Sequence, residues 1–424
     1  MNPALEKRIK RQIIGKQHRF MAIAPLGFEQ TLVNELNYIG VEADANIVSD
    51  GKVEFTAKIT EAWKAVAYSR IANRIMMYIS DFKAENFREF EKKATEIPWE
   101  LYLPTDSATI HVTCKHSRLY HSDAIAERLQ SVVSKAFPAK AGTFLRNREE
   151  QHLYASFLDD RCTIWLDLAG EELYKRGHER FVNDAPLKET IAAAMIFEAD
   201  TKGPYSLFDL MAGSGTFSLE AAYMAKGLTP GKCRDFALKH QPAFKEATWN
   251  YINNSEFGIR NSELKKVVTS DISERAIEII KHNVECSPLA GIATDSNTPT
   301  INPKIKDFFS YTGKEIANLC PGECLPIFVL NPPYGKRLDF DAPKLYTSIG
   351  RKLSELARDL KGNSKSLTVA ILAPKDDSRE GSKYTCTANL LRGCPALDPN
   401  KNCAAKLIET SHGGITLNVF IAKI

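Results

Sequence analysis

The stretch Phe328-Val-Leu-Asn-Pro-Pro-Tyr-Gly sets Asn331, Pro332 and Tyr334 directly behind a short apolar run with the composition of a buried strand. Two successive prolines fix the backbone after Asn331, so its side-chain oxygen and the Pro332 carbonyl can converge on one donor. The exocyclic amine of a nucleobase suits that pair of acceptors, since it has two hydrogens to donate and a lone pair spread into the ring. Holding both hydrogens while the nitrogen turns tetrahedral frees the lone pair to attack an activated methyl group. Such a reaction asks for positioning and electrostatics more than for a strong base. Tyr334 is placed to stack on the base, as expected for a nucleotide drawn out of a stem. A plain rigid turn is the competing reading of Asn-Pro-Pro, and a glycine turn upstream weighs against it.

In that upstream turn, Phe208-Asp-Leu-Met-Ala-Gly-Ser-Gly-Thr-Phe joins a strand signal to a helix signal through Gly213 and Gly215. Both glycines permit a sharp bend and a close backbone approach to a ligand at the carboxyl end of a strand. A nicotinamide or flavin fold would have a third glycine where Ser218 stands and an acid about 20 residues further on. Here the acid that closes the next strand, Asp271, comes far later. The acids fit S-adenosylmethionine instead: Asp209 beside the amino group of its methionine part, Asp271 on both ribose hydroxyls, and Asp307 on the adenine amine with Phe308 beside the ring. Carboxylates suit those donors because charge-assisted hydrogen bonds are stronger than neutral ones. Met211, Thr216 and Ile272, next to these positions, complete the candidate cofactor set. Each aspartate alone reads equally well as a helix cap; three at successive strand ends are harder to dismiss.

The elements that must position these residues alternate. Pro186 to Glu198, Ser218 to Ala225, Glu274 to Cys286 and Tyr346 to Leu360 read as helices. Ser206 to Leu210, Val267 to Ser270, Ile301 to Ile305, Ile327 to Leu330 and Ser366 to Leu372 read as strands. A mostly parallel, doubly wound α/β sheet follows, closed by a hairpin of Ala405–Thr410 and Ile415–Ile421 around Gly413-Gly414. The front half differs. Arg19 to Ala24 reads as a strand, the run from Glu29 as a helix, Val53, Phe55 and Ala57 as a strand, and Ile59 to Ile79 as a helix running into another strand. A second α+β segment has strands at Ala108–Cys114, Leu153–Leu158 and Cys162–Leu168 and a helix at His121–Ala136. Within it, Lys115-His-Ser-Arg-Leu-Tyr-His-Ser offers Lys115, Ser117, Arg118, Tyr120 and His121 to phosphates and ribose hydroxyls, with a solvated connector as the alternative.

The 424 residues suggest two or three domains, and 44% hydrophobic with 25% charged residues is ordinary for a folded soluble chain. A net charge of +4 from 56 basic and 52 acidic residues is too balanced to mark a polyanion binder, so any RNA surface must be local. The densest basic cluster is the leader with Lys7, Arg8, Lys10, Arg11, Lys16 and Arg19. Nine cysteines without a CxxC pair suit reduced thiols in a cytoplasm. Cys320 and Cys324 lack a partner pair at zinc-site spacing, so no metal is expected. No signal peptide or membrane span is read from the chain.

From about His18 to Ile424 these motifs resemble the bacterial THUMP-domain guanine-N2 methyltransferases of large-subunit ribosomal RNA, in the single-methyltransferase form. The likeness rests on Ala24-Pro-Leu-Gly-Phe-Glu, Ser69-Arg-Ile-Ala-Asn-Arg, Ile97-Pro-Trp and Ser117-Arg-Leu-Tyr-His-Ser in front. Behind, it rests on Lys175-Arg-Gly, Ala185-Pro-Leu-Lys-Glu, the Gly213 turn, Pro230-Gly-Lys-Cys-Arg-Asp-Phe-Ala, Asp271 and Asn331-Pro-Pro-Tyr-Gly. The resemblance implies a basic leader (1–17), a ferredoxin-like domain (18–70), a THUMP RNA-binding domain (71–168), a linker (169–185) and a seven-stranded Rossmann-like methyltransferase domain (186–424). It also implies 23S rRNA as partner, guanine N2 as target, and RNA contact by the Lys115 loop and by Arg176. Asn-Pro-Pro-Tyr alone also serves adenine N6 and cytosine N4 enzymes, and related THUMP enzymes act on tRNA. A catalytically inactive RNA-binding assembly factor is the alternative from another class; DNA and membranes are not expected partners. The chain departs from the family at His178-Glu179, where an aromatic residue before arginine is usual, and at Ala212, where cysteine is frequent.

Overall fold

The structure is a computed structural model that describes residues 2–41, 43–137, 150–182, 186–199, 203–254, 263–290, 299–320, 322–334, 341–376 and 386–424. Ala185, which closes the expected linker, and Gly335 of the Asn331 motif lie outside the described residues. Two compact units emerge: residues 1–24, 33–177 and 233–258 form one, and residues 25–32, 178–232 and 259–424 the other.

In chain order the first half runs α1 (Pro3–Ile9), β1 (Gln17–Ile23), α2 (Glu29–Tyr38), β2 (Asp44–Ser49), β3 (Lys52–Lys58), α3 (Ile59–Tyr68), β4 (Arg74–Lys83), α4 (Phe87–Thr95), β5 (Thr109–Lys115), α5 (Ser122–Lys135), β6 (His152–Leu158) and β7 (Arg161–Asp167). Its strands make one sheet in the order β2-β3-β1-β4-β7-β6-β5. β4 pairs with β1 on one side and β7 on the other, so the strands on both sides of residue 70 share that sheet. Alternation along β3 buries Val53, Phe55 and Ala57, the period-2 pattern of a strand with one covered face. Residues 233–258 belong to the same unit. Gln151 Nε2 donates to the Ala237 carbonyl and Gln241 Nε2 to the Asp167 carbonyl, each at 3.0 Å. Arg234 donates to the carbonyls of Glu171, Glu172 and Lys175, each at 2.8 Å, which ties down the stretch after β7.

The second half runs α6 (Glu189–Ala199), β8 (Tyr205–Asp209), α7 (Thr216–Ala225), α8 (Glu246–Asn254), β9 (Leu264–Asp271), α9 (Glu274–Glu285), β10 (Lys304–Ile305), α10 (Gly313–Leu319), β11 (Leu325–Leu330), α11 (Ala342–Gly362), β12 (Thr368–Pro374), α12 (Cys386–Gly393), β13 (Lys406–His412) and β14 (Ile415–Lys423). The strand order is β10-β9-β8-β11-β12-β14-β13, parallel through β12, with the terminal hairpin antiparallel to it. This is the expected doubly wound Rossmann-like sheet. β8 is buried at every residue and β11 at all but its first, as strands covered on both faces must be. α11 starts at an Asp341 cap on Lys344 N and buries Tyr346, Ile349, Leu353, Leu356 and Leu360 in the core beside β11 and β12. The chain winds outward from β8 through β9 to β10, then returns to β11 on the other side. That reversal opens a crevice beyond the carboxyl ends of β8 and β11.

Two elements are shorter than the sequence suggests. α6 begins at Glu189, and the Pro186 carbonyl ahead of it accepts from His412 Nε2 (2.8 Å). β10 keeps only Lys304 and Ile305, since Pro303 has no N–H to donate to a ladder.

Candidate active site

The glycine turn after β8 is held from several directions. Gly213 and Gly215 adopt left-handed φ values of 55° and 78°, and Gly215 caps α7. A Cβ at Gly215 would stand 3.1 Å from the Ile280 side chain, whereas at Gly213 the space is open. Asp271, at the end of β9, accepts from Gly213 N through Oδ2 and from Ser273 N through Oδ1, both at 2.9 Å. The Arg180 guanidinium bonds the Ser214 and Thr216 hydroxyls and pairs with Glu189, a largely buried ion pair. Asn283 accepts from Phe181 N (2.7 Å) and donates to the carbonyls of Phe181 (2.9 Å) and Ser214 (3.0 Å). Arg180 and Asn283 carry no local motif, and Glu189 closes the Ala185-Pro-Leu-Lys-Glu motif; sequence reasoning gave none of the three a role.

A cavity of about 670 Å³ opens on this turn, large enough for a nucleoside-sized ligand. Met211, Gly213, Thr216, Asp271, Ile272, Asp307, Phe308, Asn331, Pro332 and Tyr334 all line it. Ten of the twelve residues the sequence singled out for cofactor and catalysis thus meet in one place; Asp209 and Gly215 do not line it. Pro186, Leu187, Ser214, Ser273, Phe309 and Leu345 line it as well. Pro186 and Leu187 belong to the Ala185-Pro-Leu-Lys-Glu motif, the one signal that could have found them.

Electrostatics separate the polar groups. Asp307 accepts from Phe309 N (3.0 Å) and caps the short turn that presents Phe308. Asp209 is wholly buried; its Oδ2 accepts from Ser218 N (3.1 Å) and Ser218 Oγ (2.8 Å), which braces the first turn of α7, and its Oδ1 has no partner. Burial, with the Asp271 charge nearby, pushes its carboxyl up to about 7. The Asn331 Oδ1 and the Tyr334 hydroxyl are also buried and unpartnered, and burial pushes the Tyr334 hydroxyl up to about 12. Buried polar atoms are nearly always paired, so two orphans on one cavity wall mark a place for a donor and an acceptor brought by a ligand.

The candidate RNA residues lie in the other unit. Lys115, Tyr120 and His121 are exposed, and the Tyr120 and His121 rings stand 4.1 Å apart. Ser117 and Arg118 are engaged within the fold: the Ser117 hydroxyl accepts from Asp160 N (3.0 Å), and Arg118 pairs with Glu85. Arg176 is buried and donates to the carbonyls of Leu173 and Arg70, each at 2.9 Å.

Comparison with known proteins agrees with this layout. Residues 176–377 match the family model described as RMKL-like, methyltransferase domain, and residues 19–76 the one described as RlmL ferredoxin-like domain. The ribosomal RNA large subunit methyltransferase K/L of Allochromatium vinosum is 30% identical over 360 residues, 80% of this chain and 46% of that protein. The chain spans about half the length of such K/L relatives. The putative RNA methyltransferase YpsC of Bacillus subtilis is 29% identical, over 76% of this chain and 80% of its own. A possible methylase from Clostridium difficile has the same fold, with TM-score 0.75 at 22% identity, covering 96% of this chain and 98% of that one. So does SMU.472, a putative methyltransferase crystallised with SAH, with TM-score 0.73 at 23% identity and the same coverage. Among the described residues no helix is long and apolar enough to cross a membrane.

Proposed function

We propose that this protein is a cytoplasmic S-adenosylmethionine-dependent RNA methyltransferase that modifies the exocyclic N2 of a guanine in 23S rRNA. The observation that carries the reading is the buried, unpartnered Asn331 Oδ1 on the wall of the cavity below the Gly213 turn. The family match over residues 176–377 and the names of the relatives support the reaction class and the RNA substrate.

In this reading Asp271 accepts from the cofactor's ribose hydroxyls, Asp307 from its adenine amine, and Ile272 and Phe308 give the ring apolar contact. Asp209, set behind the cavity wall, holds the helix after the turn through Ser218 and acts on the cofactor's ammonium by its charge and not by contact. The bound cofactor supplies a methyl group on a sulfonium, a good leaving group. Asn331 Oδ1 and the Pro332 carbonyl accept the two guanine amino hydrogens, so the nitrogen lone pair leaves conjugation and points toward that methyl. Tyr334 stacks on the extruded base; with its hydroxyl pushed up to about 12 it stays neutral throughout the physiological range. Methyl transfer would exchange the cofactor's C–S bond for a C–N bond at the guanine, with Asn331 Oδ1 holding the amino proton that is finally given up. Residues 71–168 act as a THUMP capture module, with Lys115, Tyr120 and His121 as its free RNA contacts.

Asn331→Ala tests the assignment. Methyl transfer to RNA is expected to fall by about 10²–10³-fold, the usual cost of one positioned polar group in a transition state, while RNA and cofactor affinity hold. Unchanged methylation contradicts the role given to Asn331. Retained RNA binding with no methyl transfer by the wild-type chain to any RNA would favour an inactive assembly factor.

A further inference from the structure

We propose that Glu179, His282 and Cys286 form a binding site for one zinc-class divalent metal ion, a site that stands apart from the methyl-transfer reading. One ligand atom from each lies within 4.8 Å of the other two. His282 lies in the last turn of α9 and Cys286, four residues on, caps that helix with its N–H on the His282 carbonyl (2.9 Å), so the two side chains lie on one face. Their Nε2 and Sγ are 3.4 Å apart. In a tetrahedral zinc site, with bonds of about 2.0–2.3 Å, neighbouring ligand atoms stand about 3.3–3.8 Å apart, so this pair needs no rearrangement. Glu179 comes from a different segment, and that segment is already pinned to α9. Phe181 stacks on the His282 ring at 3.8 Å and 18°, and both main-chain polar groups of Phe181 bond to Asn283. The stacking fixes the imidazole, and the Asn283 bonds fix the approach of Glu179.

The donor set selects the ion. One thiol, one imidazole and one carboxylate match zinc, whereas magnesium and calcium require several oxygens. Glu179 is exposed and the other two half-buried, which leaves the fourth position to water. A bound ion would clip residues 178–182, including Arg180, to α9 and so stiffen the frame around the Gly213 turn. Spacing along the chain cannot reveal such a site, because its ligands come from segments about a hundred residues apart.

The reduced, metal-stripped full-length protein would be titrated with cobalt(II) and then with zinc(II). We expect one equivalent bound, a sulfur-to-cobalt charge-transfer absorption that zinc displaces, and a zinc-dependent rise in thermal midpoint. Cys286→Ser, with an unchanged circular dichroism spectrum, is expected to lose the absorption and the rise. Glu179→Gln, at an exposed position, is expected to weaken zinc binding at least ten-fold. No sulfur–cobalt absorption in the folded wild-type protein, or an absorption that survives Cys286→Ser, overturns the proposal. Equal zinc affinity in Glu179→Gln overturns the three-ligand site.

Discussion

Asp209 and Asp271 lie close enough for one charge to raise the other's cost, yet they occupy different environments and so take different work. Asp271 lines the cavity and spends both oxygens on main-chain N–H groups. Asp209 is sealed in with one oxygen on Ser218 and the other bare. A folded-state value of about 7 against an ordinary value near 3.8 means that the free protein holds this proton where the unfolded chain has lost it. The stabilisation is therefore complete below pH 4 and is lost as pH rises toward and through 7, by up to about 4 kcal/mol. Denaturant unfolding at pH 5 and pH 8 should show the fall in wild type and a flatter profile in Asp209→Asn; parallel profiles would place the titration elsewhere. In the unit with the other sheet, Asp167 adds to the fall in the same direction, since burial carries it up to about 6 even with Arg74 donating to it.

At the scale of elements, the site depends on the turn between β8 and α7 keeping its shape. Gly215→Ala brings a Cβ into contact with Ile280 on top of the left-handed backbone, while Gly213→Ala meets open space and faces the backbone term alone. A left-handed non-glycine residue costs about 1–2 kcal/mol. Gly213→Ala should lose about that much in unfolding free energy and Gly215→Ala measurably more, with the reverse order contradicting the packing described here. β8 and β11 were legible in the sequence because parallel strands buried on both faces read as largely apolar runs; β9, which exposes Lys265 and Lys266, was legible only from Val267 on, and the strand ends carry Asp271, Asn331 and the glycines. What was not legible lacks such a pattern. β2 is exposed along almost its whole length, so no alternation marks it; α4, α8, α10 and α12 are short helices of seven to nine residues whose burial is decided by partners distant in the chain. The brace of Arg180, Glu189 and Asn283 is assembled from three segments, and only folding brings a guanidinium from one to hydroxyls on another.

For the whole molecule, a net charge of +4 spread over 424 residues gives no general pull on RNA, so the proposed RNA recognition requires a local surface. The RNA candidates sort by exposure: Lys115, Tyr120 and His121 are available, whereas Arg176 is committed to main-chain carbonyls. Tyr120→Ala should weaken RNA binding by about 5- to 100-fold, the usual worth of one base stacked on an aromatic ring, with cofactor affinity unchanged. Arg176→Ala should lower stability and leave the RNA affinity of the folded fraction alone. An Arg176 variant that folds normally but fails on RNA would reverse that division.

The central claim is methyl transfer to a guanine amine of ribosomal RNA, and the most direct measurement supplies the purified protein with methyl-labelled S-adenosylmethionine and either large-subunit rRNA or bulk tRNA from a strain lacking the gene. The labelled nucleoside is then identified. The account predicts N2-methylguanosine in the rRNA alone. Label in tRNA, on another base, or in neither RNA while the protein demonstrably binds the cofactor would contradict it.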